Sequence, residues 1–200
     1  MNKYTLIFIA ILTMSAISCK NDAKNSNDNM DATEMDPTSM DQEDMDSEMD
    51  VQEITVDMAS KSDSNAKGTV TFKQENGEVT MTADFTGLEE GTHAIHLHEN
   101  ADCSAADGTS AGGHWNPTNE KHGKWGDTEG YHKGDIGNFE ADANGEGSIT
   151  FTTDEWSING EDPNMNIIGK GVIVHQGTDD FTSQPSGDAG ARVSCGGIVQ

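Results

Sequence analysis

Residues 79–86 read VTMTADFT, and apolar and polar side chains alternate strictly along this stretch. A period of two places alternate side chains on opposite faces of a β-strand, so one face is predicted to be buried and the other solvated. The same alternation is present at residues 70–72 and 149–151. Asn-Gly pairs such as Asn76-Gly77 indicate turns between such stretches. No stretch of the sequence shows a convincing helical periodicity. The sequence therefore predicts an all-β domain of about eight short antiparallel strands, in a sandwich or a barrel.

Two long segments interrupt the strand pattern. Residues 100–133 and 176–190 are dominated by Gly, Asn, Asp, Pro and Ser. Loops of this length in a compact domain usually carry function. We therefore expect the functional site to lie in or beside these two loops.

The N-terminal segment indicates export. Lys3 precedes an apolar run that is too short to span a bilayer, and small residues follow it. Residues 16–18 before Cys19 resemble the lipobox of bacterial lipoproteins, in which the cysteine is lipidated. We predict a lipoprotein signal peptide at residues 1–18 and a lipid anchor at Cys19, with the protein held on a membrane at the periplasmic or outer cell surface. An ordinary signal peptide cleaved elsewhere is the alternative.

The next segment, residues 19–52, is acidic and contains few apolar residues besides methionine, which predicts a disordered tether ahead of a domain at 53–200. Met-Asp recurs within it, beginning at positions 30, 35, 40, 45 and 49. Thioethers suit Cu(I), so the repeat could act as a copper donor to the domain; the alternative is a charge-extended spacer. The net charge of −25 argues against nucleic acid or anionic membrane as a partner.

The three cysteines are Cys19, Cys103 and Cys195. With an odd number of cysteines in an oxidising compartment, one thiol is left without a disulfide partner, and lipidation of Cys19 would account for that thiol. Cys103 and Cys195 then remain as the one candidate intramolecular pair.

All seven histidines lie between positions 93 and 175. Residues two apart in a strand project from the same face, so His96 and His98 can reach one metal ion. By the same parity His93 shares the core-facing side, which predicts a structural histidine there. His175 ends the apolar run 172–174 beside the second loop.

The first loop supplies a second set of ligand types. Three imidazoles and a carboxylate form a normal tetrahedral zinc shell, and the loop offers His114, His122, His132 and Asp135. Copper prefers nitrogen ligands, which His96, His98 and His175 could supply with a fourth imidazole. Either two sites compete for His114, or its two ring nitrogens bind one metal each.

Five motifs in this order carry a family resemblance. They are HAIHLHE at 93–99, GGHWNP at 112–117, HKGDIGN at 132–138, VH at 174–175 and GARVSCG at 190–196. Together they resemble the Cu/Zn superoxide dismutase family, and residues 182–187 are similar to its bacterial branch. The resemblance implies an eight-stranded antiparallel Greek-key β-barrel with two long functional loops.

The resemblance also implies an enzyme that converts superoxide to dioxygen and hydrogen peroxide by alternating Cu(II)/Cu(I) reduction and oxidation, with structural zinc. It implies copper at His96, His98, His114 and His175. It implies zinc at His114, His122, His132 and Asp135. His114 would then bridge the two metals and carry a proton during the cycle.

Supporting residues follow from the same resemblance. Asp179 is implied to hydrogen-bond one copper histidine and one zinc histidine, Cys103 and Cys195 to form a disulfide, and Arg192 to attract the superoxide anion. A homodimer is a candidate assembly. The alternative function is a non-catalytic periplasmic copper/zinc storage or donor protein on the same fold.

Overall fold

The computed structural model describes residues 51–200, so the predicted signal peptide, Cys19 and the Met-Asp repeat lie outside the described residues. Eight strands run in chain order: β1 Gln52–Ser60, β2 Lys67–Glu75, β3 Glu78–Thr86, β4 Gly91–His98, β5 Gly137–Ala141, β6 Gly147–Thr153, β7 Gly171–His175 and β8 Arg192–Gly197. A 3-10 turn spans Thr109–Ala111. Within 51–200 no helix has the length and apolarity needed to cross a bilayer.

The strands close into a barrel in the order β1-β2-β3-β6-β5-β4-β7-β8. Every pairing is antiparallel. Because β6 and not β4 lies beside β3, the connection from β3 to β4 crosses over in Greek-key fashion. The predicted eight-stranded antiparallel fold is confirmed, and of the two architectures the closed barrel is the one formed.

The alternating stretch 79–86 lies in β3, where its four apolar side chains are at most 2% exposed. Asn76 and Gly77 both adopt left-handed φ values, 54° and 84°, between the paired residues Glu75 and Glu78. This is the two-residue hairpin turn that an Asn-Gly pair favours. The register of β2 and β3 therefore follows from the turn and from the apolar pattern together.

Strand β4 differs because both of its faces are buried. Ile95 and Leu97 pack into the barrel core. The first loop, residues 99–136, is bonded to the same strand: the Leu97 amide donates to Gly134 O at 2.9 Å, and its carbonyl accepts from Trp115 N at 2.8 Å. A Cβ on Gly134 would lie 2.2 Å from the Leu97 carbonyl oxygen, so this contact requires glycine. The first loop therefore covers the second face of β4, and the side chains on that face are buried.

An aromatic cluster attaches the first loop to the barrel. The Trp125 ring lies 4.9 Å from Tyr131, 4.8 Å from Phe151 and 5.9 Å from Trp156, measured between centroids. The Trp156 indole N–H donates to the carbonyl of Lys133 at 2.8 Å. Aromatic pairs at these separations add stability beyond the area they bury. The part of the loop around Trp125 is therefore held against β6 by packing as well as by hydrogen bonds.

Candidate metal centre

Four buried imidazoles meet beneath the two loops. His96 and His98 project from β4, and His175 ends β7. His114 comes from the first loop, where it forms an isolated β-bridge with His98. One ligand nitrogen of each ring lies within 4.8 Å of the others. We call these side chains the four-histidine cluster.

Backbone carbonyls orient two of these rings. His98 Nδ1 lies 3.0 Å from the Gly112 oxygen, and His175 Nδ1 lies 3.2 Å from the Gly190 oxygen. A carbonyl oxygen only accepts, so in a neutral ring each Nδ1 carries the proton and each Nε2 offers a lone pair. These two Nε2 atoms face each other at 3.4 Å inside the cluster.

His93 does not belong to the four-histidine cluster and has a different environment. Its Nδ1 lies 2.8 Å from the His175 carbonyl oxygen and its Nε2 lies 2.9 Å from that of Glu89. The ring is buried and both nitrogens are occupied by backbone oxygens. The prediction that His93 is a structural histidine is confirmed.

The second cluster consists of three imidazoles and one carboxylate, and all four residues come from the first loop. They are His114, His122, His132 and Asp135, each of them buried. Asp135 lies 2.8 Å from His114 Nδ1, 3.0 Å from His122 Nδ1 and 3.3 Å from His132 Nδ1. We call this group the mixed cluster.

His114 belongs to both clusters. Its Nδ1 faces Asp135 in the mixed cluster, and its Nε2 is buried with no hydrogen-bond partner. The ring centroid lies 4.0 Å from that of His96 and 5.3 Å from that of His122. Of the two possibilities left open by the sequence, the geometry favours one ring serving two sites through its two nitrogens.

Asp179, from the second loop, bonds one ring of each cluster. Its Oδ2 lies 2.8 Å from His96 Nε2 and its Oδ1 lies 2.9 Å from His122 Nε2. The backbone N–H of Phe181 donates to Oδ1 at 2.7 Å. A Cβ on Gly187 would lie 1.8 Å from Oδ1, so only glycine permits this approach. Both rings are thereby turned so that their Nδ1 atoms face the clusters.

The donor sets fit copper and zinc. Five buried side-chain N or O atoms within 51–200 have no hydrogen-bond partner, and four of them are ring nitrogens of the two clusters: His96 Nδ1, His114 Nε2, His122 Nδ1 and His132 Nδ1. Buried polar atoms are rarely left unpaired. Four nitrogens suit copper, and three nitrogens with a carboxylate suit zinc. In composition, and in having ring nitrogens without a hydrogen-bond partner, the two clusters are consistent with a copper site beside a zinc site.

Burial favours the neutral form of three rings in the four-histidine cluster. It lowers the pKa of His175 to about 3, with a further contribution from His96. It also lowers the pKa of His114 to about 4, although Asp135 opposes the shift. The pKa of His98 is well below its usual value for the same reason. A metal binds only the deprotonated nitrogen, so these rings can accept an ion at neutral pH without releasing a proton.

The mixed cluster has the opposite electrostatics. Burial alone would lower the pKa of His122, but the nearby carboxylates of Asp135 and Asp179 raise it to about 9. Burial would raise the pKa of Asp135, yet the histidines around it hold that pKa well below its usual range. Without a metal, these shifts favour a charged imidazolium beside a carboxylate, and binding a cation would then displace a proton.

A cavity of about 530 Å³ opens beside the four-histidine cluster and is lined in part by His98, His175 and Arg192. The Arg192 guanidinium donates to the carbonyls of Gly108 and Gly112, each at 2.7 Å. The Gly112 oxygen also lies within hydrogen-bond distance of His98 Nδ1. One carbonyl thus fixes the arginine and a cluster histidine relative to each other.

The predicted cysteine pair is formed. Cys103 in the first loop and Cys195 in β8 make a disulfide, with 5.8 Å between their Cα atoms. The Lys61 side chain bonds the Cys103 carbonyl from the β1–β2 turn. The bridge therefore ties the start of the first loop to the strand that begins with Arg192.

All predicted site residues within 51–200 are brought to these clusters or to their immediate support. Cys19 lies outside the described residues. Sequence reasoning missed the carbonyls of Gly112 and Gly190, the close approach at Gly187, and the side chain of Gln184, which bonds the backbone of His122. A backbone carbonyl has no side-chain signal, so only the density of glycines in the loops could have indicated these positions.

The fold and the site define an antiparallel β-barrel protein with two adjoining clusters of metal-ligand side chains, one of four nitrogens and one of three nitrogens and a carboxylate. Comparison with known proteins makes this specific. The sequence model of copper/zinc superoxide dismutase matches residues 66–198. The chain belongs to the copper/zinc superoxide dismutase family.

Curated relatives of this chain carry the same family name. The chain is 40% identical over 147 residues to the superoxide dismutase [Cu-Zn] of Podospora anserina, a match that covers 69% of this chain and 92% of that protein. It is 37% identical over 143 residues to the extracellular superoxide dismutase [Cu-Zn] of Drosophila melanogaster, covering 68% and 76%. The extracellular enzyme of Caenorhabditis elegans is 35% identical over 146 residues, which cover 70% of this chain and 64% of the relative.

Two solved structures share the fold. A SOD-like protein from Bacillus subtilis, solved as a double mutant in which a tyrosine and a proline are replaced by histidine, superposes with a TM-score of 0.66 at 30% identity. That match covers 73% of this chain and 97% of the other. The clock protein EA4 gives a TM-score of 0.63 at 32% identity, covering 74% and 94%.

Proposed function

We propose that this protein is a superoxide dismutase that converts superoxide to dioxygen and hydrogen peroxide. The observation that carries the proposal is that both donor sets are complete and adjoin a cavity that contains Arg192. His96, His98, His114 and His175 would hold copper, which would supply the one-electron redox chemistry that the disproportionation of superoxide needs. Zinc held by His114, His122, His132 and Asp135 would remain redox-inactive.

The chain's own residues would guide and protonate the substrate. Arg192 carries a fixed positive charge and is half-buried, so it would attract an anion to the cavity and hydrogen-bond it there. His114 would hold a proton at Nε2 during one half of the cycle and deliver it to the departing peroxide. Asp179 would keep His96 and His122 oriented throughout.

The acidic surface does not prevent this role. The net charge of the chain is −25, and superoxide is an anion. Exposed charges farther away than about 10 Å are largely screened at 0.1 M salt, whereas a charge in a half-buried pocket is screened much less. Local attraction by Arg192 would therefore exceed the global repulsion at moderate ionic strength.

Pulse radiolysis of the copper- and zinc-loaded chain tests the proposal. Arg192→Ala should lower the second-order rate with superoxide about 10-fold, and Arg192→Glu should lower it further. Lys73→Ala removes the same charge from an exposed ion pair on β2 and should leave the rate unchanged. Added salt should slow the wild type but not Arg192→Ala. Equal rates for wild type and both Arg192 variants at full metal occupancy would remove Arg192 from the mechanism.

A non-catalytic copper/zinc storage or donor protein is the second candidate, because a SOD-like protein is among the solved neighbours. The same measurement separates the two functions. Loading with both metals without superoxide consumption above that of the buffer would favour storage or donation. A metal-dependent rate that disappears in His98→Ala would favour the enzyme.

Export and lipid anchoring are part of the proposed function. Export rests on residues 1–18 and on relatives that are named extracellular superoxide dismutases, whereas lipid anchoring rests only on Cys19 and the residues before it. Replacing Cys19 with Ser should move the protein from the membrane fraction to the soluble fraction of its host, with the mass of a lipid lost from the mature N-terminus. A homodimer stays a prediction, which the mass of the purified protein in solution would decide.

A further inference from the structure

Gln184 of the second loop pairs with the backbone of His122 in the first. Its Oε1 accepts a hydrogen bond from the His122 N–H at 2.9 Å, and its Nε2 donates to the His122 carbonyl at 2.8 Å. One side-chain amide therefore fixes the peptide groups on both sides of the same Cα atom. Such a pairing defines an orientation as well as a distance, because donor and acceptor must both be aligned.

The other members of the mixed cluster have anchors within the first loop or on β4. His114 forms a β-bridge with His98. The His132 N–H donates to Asp135 Oδ2 at 2.7 Å, and the Asp135 N–H donates to the His132 carbonyl at 3.0 Å. For the backbone N–H and carbonyl of His122, by contrast, Gln184 is the one hydrogen-bond partner within 51–200.

The second loop thus holds His122 at two places. Asp179 bonds the ring at Nε2, and Gln184 bonds the main chain. The loop between them is closed by its own backbone bonds, from Asp180 N to Gly187 O at 2.9 Å and from Gly187 N to Ser183 O at 2.7 Å. Ring and backbone together determine where His122 Nδ1 lies.

We propose that Gln184 is a positioning residue for the metal bound at the mixed cluster, acting through the backbone of His122. The inference rests on the proposed zinc-binding role of that cluster. It also means that the affinity of the cluster depends on the second loop, which contributes no ligand to it. Since Gln184 is itself exposed, its substitution leaves the core intact.

The chemistry of the amide makes the proposal specific. Glutamate has almost the shape of glutamine but presents only acceptors at neutral pH. In Gln184→Glu one carboxylate oxygen would face the His122 carbonyl oxygen across a contact that is now 2.8 Å, so attraction becomes repulsion. Gln184→Glu should therefore bind metal no better than Gln184→Ala, although it preserves size and reach.

The test is a titration of the full-length, metal-free protein with Co(II), which takes tetrahedral zinc-type sites and reports their geometry by visible absorption. Residues that bond a ligand directly change affinity about 10- to 100-fold, so a backbone anchor should change it less, about 3- to 10-fold. We expect this weakening, with altered band positions, in Gln184→Ala and Gln184→Glu. Gln176→Glu, an exposed position in the same loop, controls for the added charge.

The outcomes are distinguishable. His132→Ala removes a member of the cluster and shows which bands belong to it. Wild-type affinity and spectrum in Gln184→Glu would overturn the inference while leaving the zinc assignment intact. Failure of the wild type to give any band sensitive to His132→Ala would overturn the zinc assignment, and this inference with it.

Discussion

The two clusters differ in what holds their ligands. Three members of the four-histidine cluster stand on barrel strands, whereas all four members of the mixed cluster belong to the first loop. Strand geometry fixes His96 and His98 relative to each other once β4 has paired. The mixed cluster forms only when the loop has closed over β4. The four-histidine cluster therefore depends mainly on strand pairing, and the mixed cluster depends on loop closure.

Two residues prevent the clusters from being independent. His114 contributes a nitrogen to each, and Asp179 bonds a ring of each. The loop-borne site must therefore constrain the strand-borne site through these shared groups. Substitutions in either cluster, or in a group that joins the two, test this dependence.

The largest effect is expected from His114→Ala. It removes one ligand from each proposed site, so both copper and zinc affinities should fall more than about 100-fold, beyond the effect of losing a supporting residue. His98→Ala should lose copper alone and His132→Ala zinc alone. Competition with chelators followed by elemental analysis measures each case. Retention of either metal at wild-type affinity in His114→Ala would show that the clusters are separate.

The disulfide ranks second. Cys103→Ser should lower the free energy of unfolding by up to about 4 kcal/mol, because the bridge closes a long loop in the unfolded chain. Copper should also leave faster than from the wild type, because the bridge ties the first loop, which supplies His114, to the strand that begins with Arg192. Chemical denaturation and metal-release kinetics test both statements, with Cys195→Ser as the matched variant. Unchanged metal release would show that the disulfide contributes to stability but not to metal retention.

Asp179→Asn should have an intermediate effect on both sites. The neutral amide oxygen accepts more weakly than a carboxylate oxygen, and the amide offers N–H groups where the carboxylate had its second acceptor, so the bonds to both His96 and His122 are weakened or lost. Each metal should bind about 10- to 100-fold more weakly. Asp188→Asn, which removes the same charge at an exposed position of the same loop, is the control. A loss confined to one metal would locate the action of Asp179 in a single cluster.

The smallest effect is the pH dependence of the metal-free protein. His114 and His175 have depressed pKa values of about 4 and 3, so their contribution to stability is complete above about pH 6.5 and is lost as pH falls toward those values. His122 has a raised pKa of about 9, so its contribution is present below about pH 6.5 and is lost as pH rises through 9.

Urea denaturation of metal-free protein from pH 4.5 to 9.5 should therefore show a maximum near pH 6.5, with losses on the order of 1–2 kcal/mol at each end after screening. His122→Gln should flatten the alkaline side alone. An alkaline loss that persists in His122→Gln would assign it to another group. The acid loss is thus assigned to His114 and His175, and the alkaline loss to His122.

Much of the strand-borne part of the molecule could be predicted from sequence. Alternation places Val79 and Met81 in the core, and parity separates His96 and His98 from Ile95 and Leu97. These predictions succeed because a strand has one local period, so a few residues determine which face each side chain occupies. The Asn76-Gly77 turn succeeds for the same local reason.

The loop-borne part could be predicted in composition but not in arrangement. His122 and Gln184 are far apart in sequence, and their pairing depends on backbone atoms that have no residue-specific signal. The Gly187 approach to Asp179 depends on a distance that only the closed loop defines. Family resemblance supplied the ligand sets, whereas the contacts that hold them had to be found in three dimensions.

The position of Trp125 gives the protein an optical property. Its indole lies on the first loop among Tyr131, Phe151 and Trp156, while Trp115 follows His114 directly and has the Lys170 ammonium 5.4 Å from its ring. Indole emission shifts to longer wavelength on contact with water. Opening of the loop that carries the mixed cluster would therefore change the intrinsic fluorescence, so closure of that loop can be followed in real time on the unlabelled chain.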